Sequence, residues 1–186
     1  GDELLYLIAM DRVHRGKPVP GVVGTLMTNL AVESALKKHG IEMVRAKVGD
    51  RYVLECLQQR GWLLGGEGSG HLLALDKHTT GDGLVSCLQV LQACVSRKQS
   101  IAEQLAEVSL CPQVLVNVRL QPSQDWTKNT ALAALQQQIT DEFAGQGRVL
   151  IRASGTEPLL RVMVEAFDAA KASSYAEKLA EASRKG

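Results

Sequence analysis

Aromatic side chains are scarce in this 186-residue sequence: two Trp, three Tyr and two Phe, 4% of the chain. So few rings leave no stacking platform for the bases of a single-stranded nucleic acid. A charge excess of either sign is also missing. At +1 the sequence gives no electrostatic argument for nucleic acid or an acidic membrane surface as a partner. No apolar run approaches the ~20 residues of a membrane helix, and the opening residues do not read as a signal peptide. The four cysteines, Cys56, Cys87, Cys94 and Cys111, form no C-x-x-C pair and have no histidine at zinc-site spacing. A structural metal is therefore not expected. Cys87 and Cys94 lie within an apolar helical pattern and read as packed thiols in a reducing, cytoplasmic setting. There is no nucleophile elbow, no Cys/His arrangement, and no aspartate cluster to hold Mg²⁺.

What is present is a hydrophobic content of 45%, enough for a core in one large domain or two small ones. The sequence opens Gly1-Asp2-Glu3, without Met, and passes directly into an apolar helical run, Leu4 to Met10. That suggests a piece of something larger, with residues 1–15 ending a preceding domain; a processed or tagged mature protein is the other reading. After the connector Lys17-Pro18-Val19-Pro20-Gly21, strands are expected over 22–27, 42–48 and from Trp62. Helices are expected over 31–39, closed by Gly40, and over 52–60, closed by Gly61. Leu72 resumes as strand, and a long apolar-periodic helix runs from Leu84 towards Val95. A shorter helix starts at Ser100. Residues 16–108 thus read as a mixed α/β/α domain.

The periodicity breaks near residues 108–112. Beyond it, a strand over 114–120, a helix over 126–143, two strands flanking residues 152–161, and an amphipathic helix over 171–184 follow in turn. Residues 109–186 therefore read as a smaller β-α-β-β-α domain of α+β type, its helices on one face of an antiparallel sheet.

Three loops carry chemistry. In Arg152-Ala153-Ser154-Gly155-Thr156-Glu157-Pro158-Leu159-Leu160-Arg161, small residues let backbone N–H groups approach an anion and hydroxyls add donors. Two guanidiniums can clamp phosphate oxygens bidentately. A plain hairpin cornered by Glu157-Pro158 is the alternative. The glycine loop 65–70 leads into a strand, so it is no dinucleotide fingerprint, and it lacks the Gly-Lys-Ser/Thr of a P-loop. It presents Glu67, Ser69 and His71, a set suited to sugar hydroxyls or an amine; a β-turn with an exposed Glu is the alternative. Asp50 and Arg51 stand at the carboxyl end of an expected strand, where open α/β sheets bind ligands, although Asp50 would equally serve as a helix N-cap. Asp82, ahead of an apolar helix, reads as a cap. His14 and His39 read as surface residues without partners.

The order of these loops is more specific than any one of them. Gly66-Glu67-Gly68-Ser69-Gly70-His71, then Thr79-Thr80-Gly81-Asp82-Gly83, then Arg152 to Pro158 with Arg161-Val162-Met163-Val164-Glu165, resembles the α-D-phosphohexomutases. Gly24-Thr25-Leu26-Met27-Thr28-Asn29, Gly49-Asp50-Arg51-Tyr52 and Pro112-Gln113-Val114-Leu115-Val116-Asn117-Val118 are most similar to its bacterial amino-sugar branch. The likeness covers essentially the whole chain. Ala153 departs from the family pattern, where a lysine is common, and so does Gly68, where a longer polar residue is usual.

The resemblance implies four domains around one cleft, with this chain spanning the end of the second, the third and the fourth. It implies a phosphorylated serine in the first domain and an aspartate loop holding Mg²⁺ in the second. Neither motif occurs here, so no catalytic or metal residue is assigned to this chain. Glu67 and Ser69, with Asp50 and Arg51 nearby, would contact the sugar. Arg152, Ser154, Gly155, Thr156 and Arg161 would bind the non-reacting phosphate. The implied partners are a phosphohexosamine and the upstream domains of the same protein, with room for a homodimer of the complete protein. The implied reaction interconverts glucosamine 6-phosphate and glucosamine 1-phosphate through a bisphosphate, a step towards cell-wall precursors. A phosphoglucomutase or phosphomannomutase fragment, or a stand-alone sugar-phosphate binding module, is the alternative.

Overall fold

The computed structural model describes residues 1–121, 125–154 and 157–185. The chain divides into two compact units, Gly1–Leu110 and Cys111–Gly186. The first contains α1 (Asp2–His14), β1 (Gly21–Thr25), α2 (Leu30–Lys38), β2 (Glu42–Ala46), α3 (Asp50–Arg60), β3 (Leu64–Gly66), β4 (Leu72–Ala74), α4 (Gly83–Arg97) and α5 (Ile101–Gln104). Its sheet has the order β2-β1-β3-β4, with β1 parallel to β2 and β3, and β4 antiparallel to β3.

Successive residues of a strand point to opposite faces, and β1 shows the consequence. Val22 joins Leu5, Leu36 and Val90 in one core, while Val23 joins Val53, Leu57 and Leu73 in another. Helices α1, α2 and α4 supply the first core and α3 the second, which gives the mixed α/β/α sandwich.

Two expectations are corrected here. Helix α1 belongs to this unit instead of ending a preceding one. Leu5, Leu7 and Ala9 are fully buried in its core, with Tyr6 and Ile8 nearly so. Helix α4 reverses the simple apolar-inward pattern. It buries Ser86, Gln89, Val90 and Ala93 and leaves Leu84, Leu88, Leu91 and Val95 exposed. The inward polar groups have partners: the Gln89 carboxamide oxygen accepts from Arg12, and Ser86 donates to the Asp82 carbonyl. Cys87 is accordingly exposed and Cys94 only half-buried, so Cys87 is not a packed thiol.

The second unit contains β5 (Gln113–Arg119), a 3₁₀ turn (Trp126–Lys128), α6 (Thr130–Phe143), β6 (Gly147–Ala153), β7 (Leu159–Ala166) and α7 (Ala169–Arg184). The expected single helix from Trp126 is broken at Asn129. This residue leaves helical geometry at ψ 92° and caps α6, its side chain accepting from the Leu132 N–H. The sheet has the order β5-β7-β6 and is antiparallel throughout. Val118, Leu160, Val162 and Val164 pack with Leu132, Ile139, Ala176 and Leu179 of the two helices. That packing fixes the other sheet face as the one turned away from the helices.

Candidate functional site

In the first unit, β1, β2 and β3 are parallel, so their carboxyl ends at Thr25, Ala46 and Gly66 share one edge of the sheet. The chain goes from β1 to β2 on one side and returns to β3 on the other. That reversal opens a crevice at the carboxyl edge, where open α/β sheets take ligands. Glu67 stands there, directly after β3. Its Oε1 accepts a hydrogen bond of 2.9 Å from the Gly49 N–H, which ties the β3 loop to the loop after β2. Gly49 has φ of 126°, a conformation a side chain resists, so the tether depends on glycine.

The glycine loop is a tight turn between β3 and β4. The Gly70 N–H donates to the Glu67 carbonyl, and the Glu67 N–H donates to the His71 carbonyl. Gly70, at φ of 96°, supplies the left-handed position the turn requires. Ser69 is exposed and lines a pocket of about 370 Å³ with His71, Gly81 and Asp82. The structure therefore gathers Gly49, Asp50, Glu67, Ser69 and His71 at one edge, with Asp50 Oδ2 lying 3.4 Å from His71 Nε2.

Asp50 is not the helix cap. Gly49 holds that position without a side-chain bond, and Asp50 is the first residue of α3. Arg51 is exposed and turns along α3 to Glu55, at 2.9 Å. The hydrogen bond and charge of Glu55 raise the Arg51 pKa further. Asp82 caps α4, accepting from the Leu84 and Val85 N–H groups, as its place before an apolar helix indicates. These backbone donors, Val85 first and then Leu84, hold its carboxyl below the usual range. His39 does have a partner, Glu107 at 3.0 Å, whereas His14 is exposed.

One residue of this edge was missed in the sequence. Arg45 of β2 donates from Nη1 to the carbonyls of Thr25 (3.1 Å) and Thr28 (2.6 Å), and from Nη2 to Glu33. It pins the loop after β1. A lone arginine near the carboxyl end of an alternating strand was the only signal for it.

In the second unit, the face turned away from the helices carries the charges. Across β6 and β7, Arg152 pairs in register with Arg161, and Asn117 of β5 pairs with Arg161 from the other side. Like charges directly opposite each other repel, so this row is not there for sheet stability. Among the described residues, Arg161 Nη2 forms an ion pair only with Glu157, at a long 3.8 Å, and its buried Nε has no hydrogen-bond partner. Ser154 Oγ is likewise buried without a partner among the described residues, while its N–H donates to the Leu159 carbonyl. Gly155 and Thr156, also expected at the phosphate site, lie outside the described residues. Further along the same face, Glu165 is fully buried and bonded by Arg148 and Gln113, so that end is neutralised.

Residues 1–110 match the family model for phosphoglucomutase/phosphomannomutase, alpha/beta/alpha domain III, and residues 115–182 match the model for the C-terminal domain of the same family. A curated phosphoglucosamine mutase of Paracidovorax citrulli is 68% identical over 186 residues, which is the whole of this chain and 42% of the relative. That of Delftia acidovorans is 68% identical over 97% of this chain and 40% of the relative. The chain thus spans about two fifths of the length of the relatives it matches. Among solved structures, N-acetylphosphoglucosamine mutase of Aspergillus fumigatus, in complex with GlcNAc-6P and magnesium, superposes with a TM-score of 0.76. It is 21% identical, with 99% of this chain and 46% of that one covered, a likeness of fold.

Proposed function

The chain belongs to the phosphoglucomutase/phosphomannomutase family, and on that premise we propose that it is the substrate-recognition portion of a phosphoglucosamine mutase. The complete protein, on this reading, interconverts glucosamine 6-phosphate and glucosamine 1-phosphate in the cytoplasm and feeds cell-wall precursor synthesis. The names of the relatives support the amino-sugar assignment.

The observation that carries the reading is the in-register pair Arg152 and Arg161, with no carboxylate among the described residues nearer than Glu157 at 3.8 Å. Two facing guanidiniums bind a phosphate monoester by charge-assisted, bidentate bonds. Ser154, Gly155 and Thr156 complete this phosphate end. Glu67 and Ser69 read the sugar, with Asp50 and Arg51 beside them. Because Glu67 Oε1 is occupied by the Gly49 N–H, Oε2 is the oxygen that meets a hydroxyl or ammonium of the substrate. Phosphoryl transfer of this kind rests on positioning and charge stabilisation, and these residues supply the positioning.

Among the described residues no three His, Cys, Asp or Glu side chains come together as a metal would require. On this reading the phosphoserine and the Mg²⁺ belong to the remaining three fifths of the protein. Calorimetry of glucosamine 1-phosphate against the 186-residue chain tests the proposal. Binding that vanishes in the Arg152→Ala, Arg161→Ala variant supports it, with no turnover of glucosamine 6-phosphate by the chain alone. Turnover by the chain contradicts it.

A further inference from the structure

The geometry points to a phosphate site that extends onto a third strand, with Asn117 and Arg119 of β5 as binding residues for the same phosphosugar. This deepens the phosphate reading of Arg152 and Arg161 and rests on it.

β7 is the central strand, and Arg161 has Arg152 directly opposite on β6 and Asn117 directly opposite on β5. Directly paired residues share a sheet face, so all three stand on the face turned away from the helices. Arg119 pairs with Leu159, two residues from Arg161, and so stands on that face as the diagonal neighbour of Arg161. Diagonal neighbours are about 7–8 Å apart, within reach of long side chains. Three arginines from three strands therefore stand at the end of the face where Ser154 lies.

Charge balance separates this end from the other. Arg148, the fourth arginine of the face, is paired with the buried Glu165. Among the described residues neither Arg119 nor Arg152 has an ion-pair partner, and both Asn117 and Arg119 are exposed. The buried, unpartnered Nε of Arg161 lies in the middle of the cluster. A phosphomonoester dianion offers three terminal oxygens. Arg152 contacts it from β6, Ser154 from the end of β6 and Arg161 from β7; Arg119 contacts it from the β5 side. Asn117, with both a donor and an acceptor, is placed to bond a hydroxyl or the ester oxygen next to the phosphorus.

Calorimetry with two probes, inorganic phosphate and glucosamine 1-phosphate, tests this on the 186-residue chain. Arg119→Ala should weaken both ligands by about tenfold and reduce the salt dependence of binding. Arg119→Lys should recover part of the affinity, because it keeps the charge and loses the fork. Asn117→Ala should weaken glucosamine 1-phosphate by about threefold and leave inorganic phosphate nearly unchanged. Unchanged melting of the unliganded variants shows that folding is intact. If the wild type binds and Arg152→Ala weakens it, but Arg119→Ala matches the wild type, the third-strand inference is overturned and the two-arginine reading stands. If the wild type binds neither probe, both are overturned.

Discussion

The candidate sites of the two units differ in how their polar groups are bonded. At the carboxyl edge of the first sheet most groups that shape the loops are bonded, although Asp2 Oδ1 beside Gly68 is buried without a partner among the described residues. Glu67 holds the Gly49 N–H, Arg45 holds two carbonyls and Glu33, and Gly70 closes its turn. On the outer face of the second sheet, arginines face each other, and among the described residues Arg161 Nε and Ser154 Oγ are buried without partners. A buried polar group without a bond costs about 1–3 kcal/mol, so the second arrangement is costly until an anion arrives. The loops at the carboxyl edge of the first unit are largely preorganised by their own bonds. The second unit is completed by its ligand.

The largest effect should come from the exception inside the second unit, the neutralised end of its charged face. Glu165→Ala leaves Arg148, itself mostly buried, without its carboxylate and should cost about 3–5 kcal/mol of stability. Urea unfolding followed through unit-specific probes should show the loss in residues 111–186 and none in 1–110. Next, Arg152→Ala with Arg161→Ala should reduce phosphate affinity by roughly a hundredfold, each charge-assisted contact contributing about 1.5–3 kcal/mol. Calorimetry measures it.

Glu67→Ala should act on the other side of the comparison by releasing the Gly49 N–H. A loss of about 1–2 kcal/mol in the first unit is expected, with phosphate affinity intact. A smaller and opposite change is expected from Arg152→Gln. Removing one of two facing charges should stabilise the unliganded second unit by about 0.2–1 kcal/mol, seen as a raised melting temperature without phosphate. A loss of stability would break the comparison.

The last prediction concerns pH. Burial pushes the Asp76 carboxyl up, but the charge and hydrogen bond of Arg12 outweigh it and hold the group below its ordinary value. A carboxyl depressed in the folded state stabilises fully above its unfolded pKa of about 3.9, and the contribution is lost as pH falls through the folded value. The stability gap between wild type and Asp76→Asn should therefore narrow as pH falls below about 4. Denaturant midpoints at neutral and acid pH check it.

Much of the fold was legible because burial on one face imposes a period. The alternation in Val114, Val116 and Val118 marked β5, and the glycine after each of α2 and α3 marked its end. Residues 152–161 read as a phosphate loop in the sequence because small residues and flanking arginines have few other joint uses, and that reading remains the proposal tested above. The rest depended on contacts that sequence spacing does not encode. Nothing near Glu67 announces that it bonds the backbone of Gly49, eighteen residues earlier in the chain. The reversal of α4 was hidden because its inward Gln89 is satisfied by Arg12, far away in sequence. Arg119 and Asn117 were passed over because their place beside Arg161 exists only once β5 and β7 pair.

Hydrogen exchange of the wild-type chain with and without inorganic phosphate tests most directly the claim that the second unit is completed by its ligand. Local exchange reports the free energy of opening, segment by segment. The account predicts added protection along β6 and β7, residues 147–166, and none along residues 64–74. Protection confined to 64–74, or none in either segment at phosphate concentrations that saturate the calorimetric signal, would contradict it.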